Sequence, residues 1–485
     1  MTRVPDKPHA DGRYDVLILG AGPAGVAAAR GLVALGHRVA LIGAPRPYAA
    51  LEGLSERVLV ALDSAGCAEA LARIGPEVQR VATWDGARSE ANRERLVDRQ
   101  VFDQGLWLDA RAAGIAAMAG RVKAVEAQPE GWRVSLRGED GQAVTLEAGF
   151  LVEARGRAAP AGRGRGGERG PATTALVRRW RLAPGGAAMT AVAAFRDGWC
   201  WYVTLGEGSA LLQVFVSGAS GALPPRRDLA PFYQDLAGRI PEAGEWLAGA
   251  TPDGPVEARN AAPRLAGALL GPRFARVGDA AFAADPLSGH GVFQALGLAL
   301  ALPAVVNTLL RRPADRALAE AFYRERVEDG FLRMARTGRD FYRQETRWPG
   351  RDFWRQRTTW PDAEPAHAAP GSAAPRAAKR PVSEDGYIRA RPVIVTPDYP
   401  RGIWRVAEVP LMPLMAFMAE TGAASPAAMA AGFGARAGHP PGAVETALSW
   451  LAQRGLLARD GARIALHPAA GAKLLERQDG GAAER

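Results

Sequence analysis

Tyr14-Asp15-Val16-Leu17-Ile18-Leu19-Gly20-Ala21-Gly22-Pro23-Ala24-Gly25 is the stretch whose reading decides the fold. Val16 to Leu19 predicts a short buried strand. Val26 to Leu32 predicts an alanine-rich helix running to Gly36, and Val39-Ala40-Leu41-Ile42 a second strand. Gly20 permits a tight turn, Gly22 lets a pyrophosphate approach the backbone, and Gly25 lets helix and strand pack closely. The helix N-terminus adds free N–H groups and the positive end of its dipole. A lone Gly-x-Gly-x-x-Gly says little, but between a strand and a helix it reads as a dinucleotide-binding turn, with Gly20, Gly22, Ala24 and Gly25 against the ligand. The second strand of such a unit usually ends in Asp or Glu, which accepts from a ribose hydroxyl. Gly43 holds that place here, so Arg46 or backbone groups are expected to hold the ribose.

With 485 residues, 48% of them hydrophobic, the chain has room for two or three domains and ample core-forming residues. The formal charge is +10, but its cations are nearly all arginine: Lys7, Lys123, Lys379 and Lys473 are the only lysines. Arginine, alanine and glycine rise together, a compositional bias that carries no argument for nucleic acid. Cys67 and Cys200 alone exclude a disulfide framework and suit a reducing cytoplasm. The polar N-terminus shows no targeting segment. The apolar run from Gly291 to Leu310 is interrupted by Gln294, Pro303 and Asn307, so a buried helix rather than a membrane span is expected.

Further along, helices are expected after Ser55, with Val58, Leu59 and Leu62 apolar, and from Asp98 to Gly114. Residues 131 to 147 alternate around a turn at Gly138 to Gly141, a hairpin signature. Phe150-Leu151-Val152-Glu153-Ala154 predicts a strand, and the arginine–glycine tract up to Gly170 a solvated loop. Thr174 to Leu182, Met189 to Phe195, Trp199 to Leu205 and Ala210 to Val216 predict an antiparallel sheet, followed by a helix around Leu229 to Leu247. The expected architecture is α/β: a discontinuous Rossmann-like nucleotide domain at 10–171 and 259–360, with an inserted antiparallel substrate domain at 172–258. An Ala/Pro-rich linker is expected at 361–383. Beyond it, at 384–485, helices at Leu411 to Glu420, Ser425 to Ala437 and Pro441 to Gly455 and a hairpin to Leu466 predict a winged-helix-like α+β domain. Arg454 stands alone on its third helix, so docking or interdomain packing rather than DNA binding is its expected role.

Three stretches together point to a family. Gly278-Asp279-Ala280-Ala281 is followed by Asp285-Pro286-Leu287-Ser288-Gly289-His290-Gly291, where an Asp after a strand can accept from a ribityl hydroxyl and a helix N-terminus can meet the flavin's pyrimidine edge. Asp98-Arg99-x-x-Phe102-Asp103 is the second stretch and Gly198-Trp199-Cys200-Trp201-Tyr202 the third. Over residues 14 to 355 the chain resembles the single-component aromatic hydroxylases and flavin-dependent halogenases. The resemblance implies FAD, contacted by Gly278, Asp279, Pro286, Gly289, Gly291 and Arg99.

The third stretch departs from the halogenase signature after Tyr202, and no lysine lies between Lys7 and Lys123, where halogenases place theirs. Glu153-Ala154-Arg155-Gly156 replaces the Asp-Gly motif of hydroxylases that bind NADPH directly, so an external flavin reductase competes with NAD(P)H as the source of electrons. The remaining combination resembles the flavoprotein monooxygenases of tryptophylquinone cofactor biogenesis, which hydroxylate a tryptophan of a partner polypeptide in quinohemoprotein amine dehydrogenase maturation. The stretch Phe341 to Pro349, with Phe353-Trp354, fits that branch. The resemblance implies an oxygenase acting on a polypeptide or a small aromatic substrate, Trp199 and Trp201 walling the pocket and His290 a candidate proton donor. Reduction of an isoprenoid double bond, tryptophan halogenation and a flavin redox sensor with a DNA-binding winged helix are the alternatives.

Overall fold

The computed structural model describes residues 12–44, 46, 48, 50–160, 167–183, 185–206, 208–369, 373–468 and 474. The N-terminal stretch 1–11 and the arginine–glycine tract at 161–166 lie outside the described residues. Two compact units emerge: residues 1–316 with 323–366, and residues 317–322 with 367–485.

In the first unit, Arg13–Leu19 pairs in parallel with Val39–Gly43 on one side and with Ala143–Glu153 on the other. Ala116–Gln128 extends the parallel order beyond Val39–Gly43, and Phe274–Arg276 extends it beyond Ala143–Glu153. The hairpin expected at 131–147 is Gly131–Gly138 pairing with Ala143–Glu153, whose later residues form the strand expected at 150–154. One chain run thus serves first a meander and then the parallel sheet.

Helix Pro23–Ala34 covers this sheet and packs against Gly291–Arg311. A Cβ on Gly31 would lie 2.5 Å from Pro303 Cγ, so absence of a side chain sets how closely the two helices meet. Nearby, the buried His37 imidazole is 2.9 Å from Asn307 Oδ1, and burial holds its pKa below the ordinary value. Helix Gly291–Arg311 is the one described helix long and apolar enough to cross a membrane, and most of its apolar stretch is buried in the protein.

The second sheet has eight strands, more than the inserted domain at 172–258 supplies. Thr173–Arg181, Met189–Phe195, Gly198–Thr204, Ser209–Ser217 and Thr251–Asn260 are joined by Leu51–Leu54, Glu77–Trp84 and Ala87–Asp98. The hairpin from Glu77 to Asp98 was absent from the sequence expectation because its second strand is polar and exposed along most of its length. Its signal lies in the turn Asp85-Gly86, both at positive φ, the backbone that an Asp-Gly pair adopts readily. One face of the sheet buries Tyr202, Leu212 and Val214 beneath Tyr233, Ile240 and Trp246. Tyr233 and Trp246 belong to two helices, Leu229–Gly238 and Pro241–Trp246, with Ile240 between them, rather than the single helix expected, because Pro241 starts a new helix.

The second unit opens with a three-stranded sheet, Arg376–Glu384, Tyr387–Thr396 and Tyr399–Ile403. Its first strand overturns the linker assignment for 376–383: the alanine and proline that suggested a linker are concentrated before Arg376, and every residue from Arg376 to Glu384 has a cross-strand partner. Helices Leu411–Thr421, Pro426–Ala437 and Pro441–Gln453 follow, then the hairpin Leu457–Asp460 with Arg463–Leu466. Ser425 Oγ accepts from Ala428 N–H to cap the second helix. Met415, Met418, Phe433, Leu448 and Ile464 share one core.

Replacing Gly31 with valine should cost about 1–3 kcal/mol of stability, because the added methyls meet Pro303 in a packed helix contact. An unchanged urea midpoint in the Gly31→Val protein would show that the helices separate freely.

Candidate flavin and substrate site

The glycine turn is built by crowding. Gly20 has φ +117°, and a Cβ there would lie 2.3 Å from the Ala154 carbonyl oxygen. A Cβ on Gly25 would fall 1.9 Å from the Gly20 oxygen. Gly278, at φ +61°, approaches the same helix: its Cβ would sit 2.8 Å from that of Ala24. Gly22 is the opposite case. A side chain on it would meet no protein atom within 4 Å, and it opens onto a cavity of about 1300 Å³.

That cavity is lined by Gly20, Gly22, Ala24 and Arg46 at one end, by Arg99, Asp279, Pro286, Gly289 and Gly291 along its length, and by Trp199, Trp201 and Phe215 at the substrate sheet. Gly25 and Gly278 do not line it and serve packing. Gly43 does line it, and the missing acidic residue has a steric reason: a Cβ there would lie 2.5 Å from Ala21 Cβ and 3.1 Å from Trp107.

Arg99 and Arg46 are organised through one carboxylate. Arg99 donates to Asp103 Oδ1 at 2.8 Å and to Glu52 Oε1 at 2.8 Å, while Arg46 donates to Asp103 Oδ2 at 3.2 Å. Asp98 accepts from Gln100 N–H and caps the helix Arg99–Ala112 that carries them. Asp279 stands 3.6 Å from Arg157, and burial raises its carboxyl above the ordinary value against the pull of that arginine. Its side chain keeps about a third of its surface exposed although it lies deep in the protein, because it faces the cavity.

Trp199 is stacked on Phe215, ring centroids 3.8 Å apart. Its indole N–H donates to Tyr342 Oη at 3.1 Å, and the Tyr342 hydroxyl is 3.2 Å from both oxygens of Asp285. Burial pushes the phenol pKa well up, so Tyr342 keeps its proton and donates to the carboxylate. Asp285 also accepts from Leu287 N–H at 2.9 Å, which shapes the turn carrying Pro286 and Gly289. Trp201 donates its own N–H to Thr190 Oγ1 at 2.8 Å.

His290 does not join this group. It stands before helix Gly291–Arg311 with Nδ1 against the Ser288 carbonyl, and it is not among the cavity-lining residues. The expected proton donor is therefore turned away from the cavity, held by a contact within its own turn. Sequence reading also missed Arg80, which lines the cavity and pairs with the buried Glu94 at 3.1 Å, and Arg259, which lies 3.8 Å above the Tyr48 ring. Arg80 carried a usable signal, an arginine in a strand beside Val81 and Ala82.

The cavity accommodates FAD on its own geometry. The helix after Gly22 has no side-chain cap, the Gly22 backbone is open to the cavity, and an acceptor carboxylate follows the strand at 274–276. Fold and site together define a flavoprotein oxidoreductase of the FAD-dependent monooxygenase and halogenase superfamily.

No family model matches the chain. A tryptophan 2-halogenase of Chondromyces crocatus is 26% identical over 373 residues, 68% of each chain. Among solved structures, the flavin-dependent halogenase CmlS superposes with a TM-score of 0.68 at 19% identity, covering 84% of this chain and 89% of its own. QhpG, a peptidyl tryptophan dihydroxylase essential for tryptophylquinone cofactor biogenesis, superposes with a TM-score of 0.77 at 39% identity, covering 92% of this chain and all of its own. The chain belongs to that superfamily and, within it, to the family of tryptophylquinone-biogenesis monooxygenases.

Gly22→Val and Asp279→Ala should each weaken FAD binding by roughly tenfold or more, the equivalent of about 1.4 kcal/mol. Flavin-fluorescence titration of the apo-protein measures this directly. Wild-type affinity in both variants would place the cofactor elsewhere.

Proposed function

We propose that this protein is an FAD-dependent monooxygenase that hydroxylates a tryptophan side chain of a partner polypeptide during tryptophylquinone biogenesis. The observation that carries the reading is the 39% identity to a peptidyl tryptophan dihydroxylase over 92% of the chain, with a cavity whose flavin end and aromatic end are continuous. Bound and reduced, FAD supplies the electrons that activate dioxygen, one oxygen atom going to the aromatic ring and the other to water.

The protein's own work is binding, orientation and exclusion of water. The Gly20–Gly22 backbone and the start of helix Pro23–Ala34 hold the pyrophosphate. Asp279 accepts from the flavin's polyol, and Arg46 and Arg99 present fixed cationic groups held by Asp103. Trp199, Trp201 and Phe215 give an indole ring aromatic surfaces to pack against and keep water from the reacting carbon. No described basic side chain in the cavity is a lysine; Lys123 opens onto a separate cavity of about 420 Å³. That argues against halogenation despite the halogenase relatives. Glu153, at the position of an NADPH-binding motif, is occupied by the Arg155 guanidinium and N–H, which supports a separate flavin reductase as the electron source.

Within the second unit, residues 384–485 are read as a winged-helix-like module, since three helices and a hairpin follow one another and Ala424 bridges to Ile464. Their proposed role is a second contact surface for the polypeptide. The match to the peptidyl hydroxylase, which leaves only 8% of this chain uncovered, extends into this unit.

With FAD, a flavin reductase and a tryptophan-bearing polypeptide, the enzyme should add oxygen to tryptophan, and chloride or bromide should leave the product unchanged. Mass spectrometry decides: a halogenated tryptophan, or loss of an isoprenoid double bond without oxygen uptake, would replace the proposal. Removing residues 367–485 should leave FAD binding intact and lower turnover on the polypeptide by roughly tenfold or more. Full turnover by the truncated enzyme would refute the docking role, and insolubility would make the unit part of the fold.

A further inference from the structure

On strand Ser209–Ser217 the residues facing the cavity side alternate as Leu211, Gln213 and Phe215. Leu211 and Phe215 belong to the apolar cluster that includes Trp199, Val192 and Val203. Gln213 interrupts it. A polar amide at a core-facing strand position is costly unless something satisfies it. Its strand neighbours do not: Gln213 stands opposite Val177 on one side and Trp201 on the other, and its side chain has no hydrogen-bond partner among the described residues. It lines the cavity instead.

The surrounding indoles sharpen the point. Trp199 gives its N–H to Tyr342 and Trp201 gives its N–H to Thr190, so both offer the cavity only carbon surface. Of the cavity-lining residues on the three strands from Met189 to Ser217, which are Val192, Trp199, Trp201, Gln213 and Phe215, only Gln213 retains hydrogen-bonding capacity. A wall of aromatic carbon accepts a flat ring in several rotations about its normal. One amide carbonyl fixes the rotation, because it accepts from a single edge of the ring.

Resting on the proposed function, we infer that Gln213 is a specificity-determining residue: its Oε1 accepts the N–H of the substrate's indole and so selects which ring carbon faces the flavin. A site built around a hydrogen bond rejects an analogue lacking the donor more sharply than an apolar pocket rejects a size change. The arrangement predicts discrimination against a substrate whose indole nitrogen carries a methyl group.

The test uses the FAD-loaded full-length enzyme and two versions of one polypeptide, with tryptophan or with 1-methyltryptophan at the reacting position. Calorimetry measures the Kd of each, and mass spectrometry with NMR follows the position of hydroxylation. The wild type should bind the tryptophan version roughly tenfold tighter or better. Gln213→Leu should shrink that preference to within about twofold and scatter the position of oxygen insertion, with flavin absorbance unchanged. Gln213→Glu keeps an acceptor and should keep the preference, which serves the test if the leucine variant loses FAD. Equal binding of both versions by the wild type, or a preference that survives Gln213→Leu, would overturn the inference. If the wild type binds both versions yet hydroxylates neither, the functional proposal fails while the Kd comparison still judges Gln213.

Discussion

Three segments remote in sequence meet at glycines that cannot carry a side chain. The oxygen of Gly20 lies where a Gly25 Cβ would go, the Ala154 carbonyl lies where a Gly20 Cβ would go, and Gly278 abuts Ala24. This steric exclusion ties the first strand, the strand ending at Glu153 and the turn before Asp279 into one cradle. Gly22 opens its backbone to the cavity because no side chain stands before it, and Asp279 reaches the cavity because Gly278 brings its backbone against the helix. Position and chemistry follow from the same crowding.

A second junction does for the substrate end what the glycines do for the nucleotide end. Tyr342, near the C-terminus of helix Arg316–Arg343, accepts from the indole wall and donates to Asp285, whose other contact shapes the turn at 286–289. The loop that follows is clasped to the sheet: the buried Glu345 accepts from Asp85 N–H at 2.8 Å, and Asp85 accepts from Thr346 N–H at 3.0 Å. The aromatic wall and the turn at 286–289 are therefore held by one scaffold, which is what the proposed reaction between two separately bound rings demands.

The first strand, glycine turn and helix were legible in sequence because their requirements are local: glycine spacing, a strand before and a helix after. The four strands from Thr173 to Ser217 were legible as short runs rich in β-branched, aromatic and other apolar residues. What escaped was set by tertiary context. Ala87–Asp98 is mostly exposed and carries no apolar pattern, so only the Asp85-Gly86 turn announced it. Arg376–Glu384 follows directly on an Ala/Pro-rich stretch, lacks an apolar pattern and gains its structure from strand pairing. His290 has suitable chemistry in a suitable motif, yet its orientation depends on a contact with Ser288 that spacing does not reveal. Tyr342 stood in a stretch already noted for its aromatic residues, but its link to Trp199 spans 143 positions.

Under the proposed function, an enzyme that oxidises indoles behind a wall made of indoles faces a problem of self-preservation. Trp199 is guarded: one face lies against Phe215, its nitrogen is tied to Tyr342, and little of it is exposed. Trp201 is more open on the same strand. On that reading Trp201 offers more surface than Trp199 to an oxidant formed in an empty pocket, and the working lifetime of the catalyst depends on how seldom oxygen is activated without a substrate ring covering that wall.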